Sequence, residues 1–264
     1  TRANIVHSLD FGTEISHITY EEPDVMEEKG IMYGVFGVYT MREDANVKVQ
    51  SFSDFFSNYV HNRMARVDAK FSAGQVDYES NGTGTIDDID DYMFEVRGVL
   101  GYDFMVGAES LITPYLGVGY RYLTDKLGGK ISTTGHFGYD RETHYLYMPF
   151  GLDFLVPLRN SWKVVFNAEY DLFLDGTQES HLEDVSPSLN TLENNQDSGY
   201  GVRGSIKFLK TSEDINFFIE PFIRYWNIDE SDTATISCGG TPCALGFEPK
   251  NESTEAGVKI GINW

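Results

Sequence analysis

Basic residues are few in this 264-residue chain, and cysteines fewer. Twenty Lys and Arg stand against 41 Asp and Glu, for a formal net charge of −21. No basic stripe interleaved with aromatics interrupts that balance, so a polyanion such as nucleic acid meets repulsion and is excluded as a partner. The two cysteines, Cys238 and Cys243 in Cys-Gly-Gly-Thr-Pro-Cys, lack the CxxC spacing, which leaves metal and redox chemistry little support. Gly and Pro between them supply the bends of a small closed loop. The expectation is an oxidised staple at a loop tip of an exported protein, with Thr1 following a removed leader. Only 8 prolines are present and no Pro- or Ser-rich linker divides the chain, so residues 1–264 are treated as one domain. Mean hydropathy is −0.31 and no apolar run reaches the roughly 18 residues of a spanning helix. That absence leaves spanning strands untouched, because in a barrel only every second residue meets lipid.

Gly (26), Tyr (16) and Phe (18) are abundant, a mixture suited to turns and pleated strands. Alternation, the period-two signature of a strand, recurs along the whole chain. The last nine residues set Ala256, Val258, Ile260, Ile262 and Trp264 against Gly257, Lys259, Gly261 and Asn263. Leu9, Phe11, Thr13 and Ile15 oppose Asp10, Glu14 and Ser16; Tyr92, Phe94, Val96 and Leu100 oppose Glu95, Arg97 and Asp103. Ten such segments predict an all-β, antiparallel up-and-down transmembrane β-barrel of about ten strands, with apolar rows toward lipid. The segment over residues 30–41 is apolar on both faces, and its register stays open.

Connections alternate in length. Residues 105–110, 157–160 and 210–214 form short turns, whereas 79–90, 124–141, 175–197 and 229–253 are long and polar, the asymmetry of a membrane barrel with tight periplasmic turns and long outer loops. Residues 43–62 break the rule. There Phe52, Phe55, Phe56, Tyr59 and Val60 recur at helical spacing, predicting a short periplasmic-side helix over 53–61, resting on the membrane or barrel rim or capping the lumen.

The segments TPYLGVGYRYL, YLYMPFGLDF, IEPFIRYW and the terminal GVKIGINW resemble Gram-negative outer-membrane β-barrel proteins of the porin-like, small outer-membrane-protein kind. The resemblance implies location in the cell outer membrane, contact with its lipid, and a C-terminal signal for the barrel assembly machinery in Ile260, Ile262 and Trp264. Activity does not follow from it, since such barrels serve as pores, enzymes, adhesins and anchors.

The rows opposite the apolar ones supply the candidate lumen residues: Glu95, Arg97, Asp103, Arg121, Asp153, Glu169, Asp171, Arg203, Glu220, Arg224 and Lys259. With Asp10, Glu14, Asp68, Arg66, Lys70, Lys163 and Lys207 they form a balanced set, and balance predicts ion pairs crossing a narrow lumen. A narrow, tortuous path at most is expected rather than a wide porin, because ten strands with Tyr115, Tyr145, Tyr147, Phe218, Phe222 and Trp226 inward leave little space. The remaining charge falls outside, in the loops: Glu21, Glu22, Asp24, Glu27 and Glu28 crowd the first, and Asp87, Asp88, Asp90 and Asp91 the second. Asp77, Glu79, Asn81 and Asp88 approximate a calcium loop with Gly82 at its sixth position, departing from it in Glu79 and in Asp88 for the bidentate Glu; the expectation is weak Ca2+ binding and no other cofactor.

The expected function is a narrow passive channel for small solutes or a structural envelope protein with acidic outer loops. Two alternatives stand beside it, a loop-borne adhesin or binding protein and a surface hydrolase. For the latter, His136 and His144 near the rim, with Asp140 or Glu142 to orient an imidazole, invite comparison with omptin-type proteases. The paired Asp and Asp-His segments of that family find no match, and no serine sits in a nucleophile motif, so no catalytic residue is assigned.

Overall fold

The computed structural model describes residues 4–43, 62–106 and 109–264. Fourteen strands follow one another: β1 (Ile5–Glu22), β2 (Met26–Glu43), β3 (Arg63–Ser80), β4 (Gly84–Tyr102), β5 (Phe104–Val106), β6 (Ser110–Lys126), β7 (Arg141–Pro157), β8 (Trp162–Ser180), β9 (Leu192–Gln196), β10 (Gly199–Lys210), β11 (Asn216–Ile228), β12 (Ala234–Cys238), β13 (Thr241–Gly246) and β14 (Asn251–Asn263). Ten of them are staves of a closed antiparallel barrel, in the order β1-β2-β3-β4-β6-β7-β8-β10-β11-β14, with β14 returning to β1. The seam is tied at its end by Leu9 and Trp264, whose N–H groups donate to each other's carbonyls at 2.7 and 3.1 Å. Closure leaves no barrel stave with an unpaired edge, which the hydrocarbon of a bilayer demands.

Alternation fixes which row faces where. Phe11, Ile15, Val67, Phe71, Leu116, Val118, Phe150, Phe166, Ile219 and Ile260 are exposed on the outer wall, Leu100 by 68%. Tyr33, Tyr92, Tyr122, Tyr170, Tyr200 and Tyr225 lie toward the end away from the termini, here the distal end; Tyr170 stacks on Tyr200 with centroids 6.0 Å apart. Tyr39, Trp162, Phe217 and Trp264 lie toward the proximal end. An apolar belt between two aromatic girdles is the outer surface of a lipid-embedded barrel. The open register of β2 resolves here: Tyr33, Val35 and Tyr39 face out, while Met32, Phe36 and Thr40 are buried inside.

The staves overshoot the belt. β1, β2, β3, β4, β6, β7 and β8 run 17–19 residues, against the roughly 10 that cross a bilayer, so each projects about 25 Å of strand beyond it. This corrects two of the expected loops. Residues 79–90 are hairpin: β3 pairs with β4 up to Ser80↔Gly84. The acidic stretch from Glu21 to Glu28 is likewise a tight turn, closed by Val25 N–H donating to Glu22 O at 2.9 Å, with Asp24 at φ 65°. Non-Gly residues rarely adopt that conformation, Asp and Asn excepted. β10, β11 and β14 are shorter at 12–13 residues. Beside them the distal connections grow long and hold β9, the β12–β13 hairpin and a 3-10 turn, Leu182–Asp184.

The helix expected over residues 53–61 lies outside the described residues and is not borne out. Among the described residues, helical structure is confined to the Leu182–Asp184 turn. The disulfide is present, joining Cys238 to Cys243 across the β12–β13 hairpin with Cα atoms 5.8 Å apart.

Candidate functional site

The lumen is the candidate site, and it is filled rather than open. At its middle, Arg203 on β10 reaches inward to Glu95 on β4, with Nη2 donating to Oε1 at 2.5 Å and Nη1 to Oε2 at 3.0 Å. Its Nε donates to Asp171 on β8 at 2.5 Å. Arg97 pairs with Glu169 and also donates through Nε to Asp68 at 2.6 Å. Arg66 completes the chain on Asp153 at 2.7 Å. Tyrosines lock the carboxylates: Tyr147 donates to Glu95 at 2.7 Å and Tyr115 to Glu169 at 2.6 Å. Rings also cover the guanidinium faces, with Arg203 5.2 Å from the Tyr147 centroid and Arg66 4.6 Å from that of Tyr115. Such cation–π contacts are strongest where water is excluded.

A second layer joins Glu14, Glu255, Lys70 and Arg224. Arg224 donates to Glu255 at 2.9 Å and to Glu14 at 3.2 Å, and Lys70 to Glu255 at 3.2 Å. Ser16 and Ser72 satisfy the same carboxylates at 2.9 and 3.2 Å. Nearer the proximal mouth, Arg42 pairs with Asp103, Lys207 with Asp10, and Lys259 lies 3.7 Å from Glu220. Distally, Ile18, Met32, Val76, Ile89 and Met93 form one apolar cluster, and Tyr145, Tyr147, Phe173, Trp226 and Ile228 another. Below the Arg203 layer a cavity of about 250 Å3 opens among Asp10, Arg42, Lys207, Glu220, Lys259 and their neighbours. Two glycines make room for the plug. A Cβ on Gly119 would lie 2.2 Å from the Tyr147 ring, and one on Gly151 2.1 Å from that of Tyr115.

Of the residues singled out from sequence, Glu95, Asp103, Arg121, Asp153, Glu169, Asp171 and Arg224 are buried in the interior, with Arg97, Arg203, Glu220 and Lys259 beside them in the ion pairs above. Arg121 stands apart, stacked 5.5 Å from the Trp226 centroid. Sequence reasoning missed Glu255 and Arg42 in these layers, and Glu22, Glu28, Asp91, Asp125 and Arg141 farther out. Glu22 continues the inward parity of Glu14, Ser16 and Ile18 on β1, and Glu28 that of Met32 and Phe36 on β2; following period two past the apolar residues finds them. Asp77 and Glu79 lie on the outer face of β3, and Asp77 Oδ1 accepts the Asp88 N–H at 3.0 Å. With Asn81 in the tight turn, these four residues are parts of a hairpin rather than of an open loop. Among the described residues no three His, Cys, Asp or Glu converge as a metal ion requires.

The rim histidines do not meet the carboxylates expected of them. His144 faces outward at the girdle, its Nδ1 2.7 Å from Tyr120 Oη, and His136 Nδ1 lies 2.9 Å from Thr134 Oγ1. Asp140 bonds Lys126 and the Gly128 N–H at 2.9 and 2.7 Å. His144 Nε2 lies 4.0 Å from Glu179 instead, and His181 has two carboxylate partners, 3.0 Å from Glu183 and 3.6 Å from Glu142.

Among solved structures, the outer membrane protease OmpT from Escherichia coli superposes with a TM-score of 0.63 at 9% identity, over 99% of this chain and 96% of that one. The chain has the fold of an outer-membrane β-barrel. The translocator domain of the autotransporter NalP from Neisseria meningitidis matches with a TM-score of 0.43 at 12% identity, over 98% of this chain and 88% of that one. No protein-family model and no curated protein matches the chain. Likeness at these identities is one of architecture, and activity must be argued from the site.

Proposed function

We propose that this protein is a sealed barrel of the cell outer membrane, a structural envelope component that anchors and displays its distal hairpins and loops. One observation carries the reading: ion pairs and aromatic rings bridge the lumen from wall to wall, with Arg203 linking β10 to both β4 and β8. Buried pairs of this kind, satisfied on nearly every side, hold one geometry and open only at the cost of exposing uncompensated charge. A passive path for solutes is therefore absent from the resting state. In this reading the apolar belt contacts outer-membrane lipid, and Ile260, Ile262 and Trp264, on the strand that closes the barrel, engage the barrel assembly machinery.

Planar-bilayer recording tests the proposal. The purified barrel inserts without conductance steps, whereas discrete steps that scale with salt concentration would establish a pore instead. A surface hydrolase finds no support in the arrangement of His136 and His144, and cleavage of peptide or lipid by the wild type, lost in His144→Ala, would revive it.

A further inference from the structure

The distal chamber, beyond the Tyr33–Tyr225 girdle, carries charge that the plug does not use. Arg141 reaches across it to Glu22 on β1 and Glu28 on β2, both at 2.9 Å, and lies 3.0 Å from Asp125 on β6. Asp91 on β4 stands opposite Asp125 in the β4–β6 register. Glu248, from the segment that leads into β14, accepts a hydrogen bond from Tyr20 Oη at 3.1 Å, and Tyr20 Oη also lies 3.3 Å from Glu22. Five carboxylates thus gather about Arg141, and the buried Arg121 is the second arginine that lines the chamber's cavity. Glu28 is only 3% exposed, yet its Oε1, like Asp91 Oδ1, has no hydrogen-bond partner. Both side chains line one cavity of about 30 Å3, room for about one water molecule.

Buried carboxylates in excess of their counter-charges do not stay ionised. Desolvation and mutual repulsion each favour the neutral acid, and two carboxyls sharing a site hold a proton between them. A protonated carboxyl is also a donor, and this chamber is rich in acceptors. The alternative resident, a metal ion, needs converging ligands that the described residues do not supply.

We propose that the distal chamber is a proton-binding site that latches the cap formed by residues 229–250, holding it closed in neutral medium and releasing it in alkaline medium. Glu248 is the moving part. Its N–H donates to Ser231 Oγ at 2.7 Å, and Ser231 N–H donates back to Glu248 O at 3.0 Å, so the base of the cap is fixed wherever Glu248 is fixed. The cap is tied onward to β9 through Asp232 N–H to Asn195 O at 2.9 Å and Asn195 N–H to Asp232 Oδ1 at 2.7 Å. Groups facing Glu248 are Tyr20 and Glu22 from β1, Glu28 from β2, Asp125 from β6, Arg141 and Tyr145 from β7, and Tyr139, which has Tyr78 beside it. Burial first, then the negative charge of Glu22, pushes its carboxyl up to about 8 against the opposing pull of Arg141. A carboxyl raised in the closed form favours closure while protonated, so closure is complete below the ordinary carboxylate range and weakens as pH climbs through about 8. On release the proton passes to hydroxide, and the new carboxylate is repelled by Glu22.

Hydrogen exchange on the whole barrel in lipid nanodiscs, corrected for intrinsic rates, tests the latch. Between about pH 6 and about pH 10, protection of amides in residues 229–250 falls at least tenfold, while protection in the staves holds. Glu248→Gln, which can still accept the Tyr20 hydrogen bond without titrating, removes the transition. A pH-independent wild-type cap, or a transition that survives in Glu248→Gln, overturns the proposal. Infrared difference spectroscopy on the wild type gives a second measurement that needs no variant. A protonated-carboxyl band at neutral pH that disappears on alkaline titration supports the latch, and its absence at neutral pH sinks it.

Discussion

Replacing Arg203 with Met is the sharpest test of the sealed lumen. The side chain gives up a bidentate pair with Glu95, a hydrogen bond to Asp171 and one to Tyr147 at 3.0 Å. Glu95 and Asp171 are buried, and Asp171 is fully so. Removing one partner of a buried ion pair costs about 3–5 kcal/mol, chiefly because the remaining charge stays desolvated. Two carboxylates are orphaned here, so the upper end applies, although Glu95 keeps the Tyr147 hydroxyl at 2.7 Å. A loss of about 5 kcal/mol is a factor of about 4,000 in the folding equilibrium. The assay is urea titration of the barrel folded into vesicles, followed by Trp fluorescence. The triple variant Arg203→Met, Glu95→Gln, Asp171→Asn removes the orphaned charges and is expected to recover most of the loss, because a neutral replacement of a buried ionic network is often no less stable. A single variant within about 1 kcal/mol of wild type, or a triple variant no better than the single, refutes the claim that the network holds the lumen shut.

Reduction of Cys238–Cys243 loosens the β12–β13 hairpin alone. Closing so short a loop is worth about 2 kcal/mol, so exchange protection in Thr241–Gly246 falls, while the barrel's heat-dependent gel mobility stays as it was. Gly119→Val forces the Tyr147 ring away from Glu95 and costs about 1–3 kcal/mol of overpacking, whereas Gly98→Val, with nothing within 4 Å of the new Cβ, leaves the urea midpoint in place. His181 titrates above its ordinary value: burial pulls it down, but the hydrogen bond to Glu183 and the charges of Glu183 and Glu142 outweigh that. Being raised in the fold, it stabilises the 182–184 turn below the ordinary histidine range and loses that contribution as pH rises through its folded value; proton NMR of the imidazole checks this, with Glu183→Gln expected to lower it.

The belt was legible because lipid imposes period two on one face only. Where the opposite face is also apolar, the contrast disappears: Met32, Phe36 and Val38 of β2 build the interior, and the register could be set only by pairing with β1 and β3. Beyond the bilayer the constraint lapses altogether. The outer rows of the distal extensions carry Glu21, Glu27, Asp77 and Asp90, so the same strand continues without an apolar side and its charges resemble loop residues. Partnerships were hidden for a different reason. Arg203 and Glu95 lie 108 residues apart, and only closure of the barrel brings β10 and β4 to face each other across the lumen. Alternation nominates both as inward, but not as partners. Glu255 escaped because the terminal strand begins at Asn251, before its apolar alternation becomes visible.

The two charged regions of the interior obey different rules, and that difference can be measured. In the plug Arg203, Arg97, Arg66, Arg224 and Lys70 each meet at least one carboxylate, and hydroxyls of Tyr and Ser bond several of the same oxygens, so opposite charges are paired locally. In the distal chamber Arg141 alone serves Glu22, Glu28 and Asp125, with Asp91 and Glu248 close by, and neutrality requires protons. Apolar side chains of Ile18, Met32, Val76 and Met93 separate the regions, which share no side-chain hydrogen bond among the described residues. Sites without shared partners add within about 0.5 kcal/mol. Combining Arg203→Met with Glu248→Gln should therefore lower barrel stability by the first change alone and abolish the cap's alkaline release by the second alone. A coupling well above that margin would show that the plug and the chamber act as one network and that the alkaline response reaches the lumen itself.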